Sequence, residues 1–207
     1  MVPAVSAMLS LLTLKLLDKE RLSHIDDFNC DEALALFAGL NIPPKKSFAT
    51  DYSYRTTRQQ QLKLLKSWTK QLSPILFPDA NSFSLDFHSI GHRGEDTDLE
   101  NHYQPMRSKA GPSVLTFFAM EQKIRVFCYS NANLTRHEQT QEVLRFVDFW
   151  REVMGRNPQW LYFDSKLTTY AELSRLTEKK VWFVTIRRRG SSILRRLENL
   201  PKESWQP

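Results

Sequence analysis

The sequence has few cysteines and no long apolar run, and each shortage excludes something. Its two cysteines, Cys30 and Cys128, lie far apart, one in a loop or helix start and one in a strand. Two thiols so placed make neither a zinc cluster nor a disulfide framework, so a reducing cytoplasm is the default compartment. The apolar run Ala4–Leu17 is interrupted by Ser6, Ser10, Thr13 and Lys15 and is too short to cross a bilayer. It also lacks the basic start and small-residue cleavage site of a secretory leader. It reads as a buried amphipathic helix, and no membrane partner is implied. Internal repeats and low-complexity segments are absent as well.

What is present describes a folded protein. The 207 residues allow one or two domains with a real core. A hydrophobic share of 41%, a charged share of 25% and an aromatic share of 12% are ordinary for a globular chain and exclude disorder. The net charge is +6. All of that excess lies in residues 166–207, which hold ten cations against four acids, on an otherwise neutral body. A basic end on a neutral body suits a polyanion partner. A merely solvated surface is the plainer alternative.

Residues 1–76 read as helical, with segments over Ala4–Leu22, Glu32–Leu40 and Thr57–Leu72. In the last, Leu62, Leu65, Trp68 and Leu72 recur at helical spacing, and Pro74 and Pro78 mark a boundary. Alternation then predicts strands over Ser82–Ile90, Val114–Met120 and Arg125–Tyr129. A T-x-x-E capping box at Thr135 and Glu138 opens a helix striped by Val143, Val147, Trp150 and Met154 and ended by Gly155 and Pro158. Trp160–Phe163 is a short apolar strand. Thr169 and Glu172 cap a helix to about Lys179, Val181–Ile186 is a last strand, and Ser192–Leu200 a last helix. The order β-β-β-α-β-α-β-α predicts an antiparallel meander feeding a parallel section, in one mixed α/β sheet with helices on its faces. The domain reading is a helical region over 1–78 and an α/β core over 79–207.

Two carboxylates stand out. Asp86 sits inside the first strand between Leu85 and Phe87, where a carboxylate is costly unless paired or bound to a cation. Asp164 ends the apolar strand Trp160–Phe163, and strand carboxyl ends are where such sheets place their sites. The first and fourth strands can be neighbours in this order, which would bring the two acids together. Such a pair repels unless a proton or cation lies between. Mg2+ or Mn2+, hard ions that prefer oxygen ligands, are the natural occupants. Two of them about 3.5–4 Å apart would suit an in-line phosphoryl displacement. Spacing alone favours a strand-end turn residue for Asp164 and leaves Asp86 open.

Longer stretches carry a resemblance. Leu85-Asp86-Phe87-His88-Ser89-Ile90, His92-Arg93-Gly94-Glu95-Asp96, and Lys109 before Val114-Leu115-Thr116-Phe117-Phe118 resemble the first catalytic-Asp region of DDE transposases from bacterial insertion sequences. Asn131-Ala132-Asn133-Leu134, and Tyr162-Phe163-Asp164-Ser165-Lys166-Leu167 followed by Tyr170-Ala171-Glu172-Leu173, resemble the second. Upstream, Leu36-Phe37-Ala38-Gly39-Leu40-Asn41 and Phe48-Ala49-Thr50-Asp51-Tyr52-Ser53-Tyr54-Arg55 are similar to the same group. The resemblance runs from about Pro3 to the end, specific as a whole though not in any one motif. It implies a ribonuclease H-like fold, Mg2+- or Mn2+-dependent cleavage and strand transfer of double-stranded DNA (transposon ends and target), and a possible homodimer. It also implies Asp86 and Asp164 as the first two catalytic metal ligands. In that family a glutamate on a later helix completes the triad, after an insertion beyond the last core strand. Glu198 and Glu203 are the late acids here, and they read as a surface helix residue and a tail residue. The expectation is a truncated copy, inactive alone.

Other residues are weaker candidates. His88 and His92 are four apart, as in a helical zinc pair, but they fall on a strand and its loop, where that spacing does not share a face. His88 can share the face of Asp86. Residues 91–113 make a connection too long for a tight hairpin, and His92, Arg93 and Lys109 could meet DNA there. Glu95, Asp96, Asp98 and Glu100 read as a solvated acidic patch. Arg187, Arg188 and Arg189 follow the last strand near the proposed site and suit phosphate contact. The face bearing Arg55, Arg58, Lys63, Lys66 and Lys70 is as well explained by solvent as by DNA. The rival functional reading is a catalytically inactive DNA-binding remnant; a metal nuclease using only two carboxylates is third.

Overall fold

The computed structural model describes residues 2–92, 98–164, 167–187 and 190–204. The chain divides into two compact units, Met1–Lys63 and Leu64–Pro207. Among the described residues no helix is long and apolar enough to cross a membrane.

The first unit is helical. Helix α1 (Ala4–Leu16) buries Ala7, Ser10 and Leu14, a stripe at helical spacing. Its hydroxyls are tolerated because they bond backward: Ser10 Oγ donates to the Ser6 carbonyl at 2.8 Å and Thr13 Oγ1 to that of Leu9 at 2.8 Å. Helix α2 (Glu32–Phe37) starts where Asp31 accepts from the Leu34 N–H at 3.0 Å. It stops at Gly39, whose φ of 71° lets the Leu40 N–H return to the Ala35 carbonyl. Helix α3 (Lys46–Arg55) fully buries only Ala49, beside the stacked rings of Phe48 and Tyr52, so its apolar stripe is short. The division between units falls within helix α4 (Arg58–Leu76), which runs through Pro74. Proline cannot donate to the Lys70 carbonyl, and Ser73 Oγ donates to it instead at 2.9 Å.

In the second unit, strands β1 (Ser82–Gly91), β2 (Asn101–Gln104), β3 (Lys109–Glu121), β4 (Phe127–Asn131), β5 (Trp160–Phe163) and β6 (Trp182–Thr185) form one mixed sheet. Its order is β4-β3-β1-β5-β6, with β2 paired to the outer part of β3. The β1–β3 and β3–β4 ladders are antiparallel, and β1–β5 and β5–β6 are parallel. Strands β1, β4, β5 and β6 therefore run one way, with their carboxyl ends at one edge. This is the mixed α/β sheet that the element order predicted, and its strand order is the ribonuclease H-like one that the resemblance implied. Strand β2 and the first residues of β3 occupy part of what reads as an irregular connection. Their polar composition, with Gly111 and Pro112 in the run, hides the alternation.

The core lies on one face of the sheet. Phe83 packs edge-on against Phe146 and Trp150, with ring centroids 5.2 and 4.4 Å apart, and Phe117 meets Tyr129 at 6.0 Å. The helix supplying Phe146 and Trp150 is α6 (Glu142–Met154), ended by Gly155 at φ 71°. The sequence predicts one helix from Thr135, but Thr140 and Gln141 separate a short α5 (Arg136–Gln139) from α6. The capping contact is present, with Glu138 Oε2 accepting from the Thr135 N–H at 3.0 Å. Past the break, Glu142 turns inward and is fully buried. Its Oε1 accepts from the Tyr129 hydroxyl and the Asn131 amide, both at 2.7 Å, and its Oε2 from Arg145 at 3.0 Å. Burial and the neighbouring carboxylate hold the Tyr129 phenol well above its ordinary range. Helix α7 (Tyr170–Glu178) crosses from β5 to β6, started by Thr169, which accepts from the Glu172 N–H at 3.4 Å. Helix α8 (Ser191–Glu198) follows β6.

Glu142 thus ties β4 to the crossover helix. Glu142→Ala leaves two buried donors without their acceptor and is expected to destabilise the fold by about 3 kcal/mol. Glu142→Gln, which keeps one carbonyl oxygen, should cost roughly half as much. Urea unfolding reads both. A loss below about 1 kcal/mol for the alanine variant would show that the network is dispensable.

Candidate active site

Parallel pairing of β1 and β5 sets the site. Its register runs Ser82 with Trp160, Phe83 with Leu161, Ser84 with Tyr162 and Leu85 with Phe163. The ladder ends there: Asp86 is the next residue of β1, and Asp164 directly follows the last residue of β5. Phe83, Leu85, Leu161 and Phe163 are buried on the core face, so alternation turns Asp86 onto the opposite face; Asp86 and Asp164 are both exposed. Asp86 Oδ1 accepts from the Phe87 N–H at 2.8 Å. The Asp164 carbonyl accepts from the Leu167 N–H at 3.1 Å, so β5 ends in a turn at that residue. On the same face, Trp160 of β5 stacks on Trp182 of β6, centroids 5.9 Å apart, a cross-strand pair that helps fix their alignment.

His88 lies two residues beyond Asp86 on its face of β1, exposed and opposite Thr116 of β3. The Thr116 hydroxyl is buried and has no hydrogen-bond partner among the described residues. Asp86 and His88 thus share one face of β1, and Asp164 directly follows the strand paired with it. It does not add Lys109. Asp86 pairs with Phe118, so Lys109 stands nine positions further along β3, roughly 30 Å away. His92 is exposed just past β1, its N–H donating to the Pro112 carbonyl at 2.9 Å. Arg187 is exposed and lines a cavity of about 250 Å³ with Thr168, Thr169, Tyr170, Leu173, Thr185 and Ile186, at the carboxyl ends of β5 and β6. Arg93, Arg188 and Arg189 lie outside the described residues.

Two exposed carboxylates, each next in sequence to the last pair of the β1–β5 ladder, offer hard oxygen donors of the kind Mg2+ or Mn2+ prefer, and the donor set fits such an ion in part. Among the described residues no group of three His, Cys, Asp or Glu side chains could hold a metal. Glu172, buried in the first turn of α7 and 3.5 Å from Arg175, does not join the pair to make one. Of the two cysteines, Cys30 is exposed and Cys128 buried, both as free thiols.

Sequence reasoning missed the β2–β3 root. Glu100 Oε2 accepts from the Arg136 N–H at 2.8 Å and lies 3.5 Å from His102 Nε2, while the Gln104 amide donates to Ser113 Oγ at 2.9 Å. The available signal was a pair of glycines. A Cβ at Gly91 or Gly111 would come within 3.0 Å of the Gln104 amide, which occupies the space both leave.

No protein-family model and no curated protein matches the chain. Among solved structures it is similar to a piggyBac transposase synaptic complex with hairpin DNA, at 15% identity and a TM-score of 0.46, over 96% of this chain and 44% of that one. It is also similar to a Mos1 transposase paired-end complex with the left transposon end, at 10% identity and a TM-score of 0.34, over 93% and 69% of the two chains. A pre-cleavage Mos1 transpososome aligns at 11% identity and a TM-score of 0.33, over 86% and 58%. The chain thus spans less than half the length of the piggyBac protein. At this level of likeness, strand order remains the ground for the fold.

Burial holds His102 below the ordinary imidazole range; Glu100 opposes that shift and Arg136 adds to it. The unfolded chain then takes up a proton that the folded chain resists. Stability should therefore fall as pH drops from about 6.5 toward the depressed folded value, and level off below it. Thermal melts across that window, beside His102→Gln, check this. Equal pH slopes in the two proteins would remove His102 as the cause.

Proposed function

We propose that the chain is the catalytic core of a DDE-type transposase, of the kind found in bacterial insertion sequences, acting on phosphodiesters of double-stranded DNA. What supports the reading is the parallel β1–β5 ladder, which ends at Leu85 and Phe163 and is followed on each side by an exposed acid, Asp86 in β1 and Asp164 directly after β5. The two carboxylates would hold Mg2+ or Mn2+, which activates the attacking oxygen and stabilises the leaving one. Water attacks a phosphodiester, the P–O3′ bond breaks, and a DNA 3′-hydroxyl is released. That hydroxyl then attacks a target phosphodiester, forming a new P–O3′ bond and freeing a second 3′-hydroxyl. Arg187, Arg188 and Arg189, with His92, Arg93 and Lys109, would hold the DNA backbone. DNA ends, target and a second copy of the chain are the partners this reading supplies.

A second reading, a DNA-binding remnant without catalysis, is favoured by one observation: no third acid joins the pair among the described residues. Metal chemistry of this kind needs its groups held within a fraction of an ångström. Residues 1–207 alone are therefore expected to show no strand transfer and at most trace Mn2+-dependent nicking of supercoiled DNA. Mn2+ binding, read by the loss of free-ion spectral intensity, should weaken at least about tenfold in Asp86→Asn and again in Asp164→Asn, because each change removes a charged ligand. Undiminished binding in the double variant would sink the site. Nicking that survives Asp86→Asn would point to a contaminant.

Binding to duplex DNA should fall steeply as salt rises, because the excess charge is concentrated after residue 165. Replacing Arg187, Arg188 and Arg189 together by Ala should flatten the log–log salt slope by about three and weaken all sequences alike. An unchanged slope would reduce the basic turn to solvated surface.

A further inference from the structure

The β2–β3 hairpin is a built feature that the carboxylate chemistry does not use. Residues 101–113 contain Arg107 and Lys109 and no acid. At the tip, a short 3-10 turn over Pro105–Arg107 and Ser108 at φ 50° put Met106 outermost, fully exposed at 102% of its reference area. Arg107 and Lys109 are exposed beside it, and Tyr103 is 61% exposed on β2. The root is rigid. Besides its bond to Ser113, the Gln104 amide donates to the Pro112 carbonyl at 3.1 Å, and Ser113 Oγ donates to the Gly111 carbonyl at 2.8 Å. A long unbranched apolar side chain, held out on a stiff arm just before two cations, makes no packing contact in the fold.

We propose that Met106 is a wedge that enters between base steps of bent duplex DNA, with Arg107 and Lys109 on the flanking phosphates. Apolar wedges of this size partly unstack a step and kink the duplex, and cations beside them hold the backbone. Charge complementarity selects the partner. The arm leaves the sheet at the end toward which β1 runs past Asp86, and its tip lies roughly 30 Å along β3 from the level of the carboxylates. That distance corresponds to about nine base pairs of duplex, so the kinked step lies about that far from the cleaved bond. The inference rests on DNA as the partner in the function proposed above. It adds which element deforms the duplex and where.

The test uses the full 207-residue chain and two short duplexes of one sequence, one fully paired and one with a central mismatch flanked by 2-aminopurine. The parent should prefer the mismatched duplex by on the order of tenfold, because unstacking costs least there, and should raise the 2-aminopurine emission. Met106→Ala should lose both effects, and Met106→Leu should keep them. Arg107→Ala with Lys109→Ala should weaken both duplexes alike. Met106→Ala that keeps the preference and the emission overturns the wedge and leaves DNA as the partner. Binding to neither duplex overturns the DNA reading itself, and the wedge with it. A shift from dimer to monomer in Met106→Lys would make the tip a contact between copies, which also overturns the wedge.

Discussion

In a strand, sliding the register by one residue sends every side chain to the other face. The short ladder between β1 and β5 is where this matters most. A slip there would put Asp86 into the apolar layer and lift Phe83 and Leu85 into water. Burial of Phe83, Leu85, Leu161 and Phe163 therefore selects the alignment seen, which ends with Leu85 beside Phe163, the residues directly before Asp86 and Asp164. The acids hold their places because the apolar residues next to them have nowhere else to go.

A second constraint acts through the crossover. To reach β5 on the far side of β1, the chain must leave β4 and cross the sheet, and α6 makes that crossing. A fully buried carboxylate at its start is costly unless every lone pair finds a donor. Tyr129, Asn131 and Arg145 supply them. The break at Thr140 and Gln141 comes directly before Glu142. The aromatic layer of Phe83, Phe146 and Trp150 then closes over the same helix. Polar and apolar contacts on α6 specify one docking position.

Much of this was legible in the sequence, because several signals are local. The alternation around Asp86, the capping residues Thr135 and Thr169, and the stripe of α6 each depend on neighbours within a turn or two. The adjacency of β1 and β5 followed from strand order. What the sequence hid is what depends on distant partners. Helix α3 fully buries one alanine, so only a short stripe announces it. Proline 74 reads as a boundary because the bond from Ser73 that replaces the lost donor is invisible without geometry. Glu142 reads as an ordinary first-turn acid until Tyr129 and Asn131 are seen around it. Strand β2 is polar, and its meaning lies in Gln104 filling the space over Gly91 and Gly111.

Strand β3 runs unbroken for 13 residues and serves different neighbours along its length. Lys109–Pro112 pair with β2, Phe117–Met120 pair with β4, and Ser113–Glu121 pair with β1. Its one irregularity, at Ala119 and Met120, lies beyond the level of Asp86, away from the hairpin. Between the tip and the strand that flanks Asp86 there is thus no joint. The hairpin and the stretch of β3 opposite Asp86 are parts of one continuous strand.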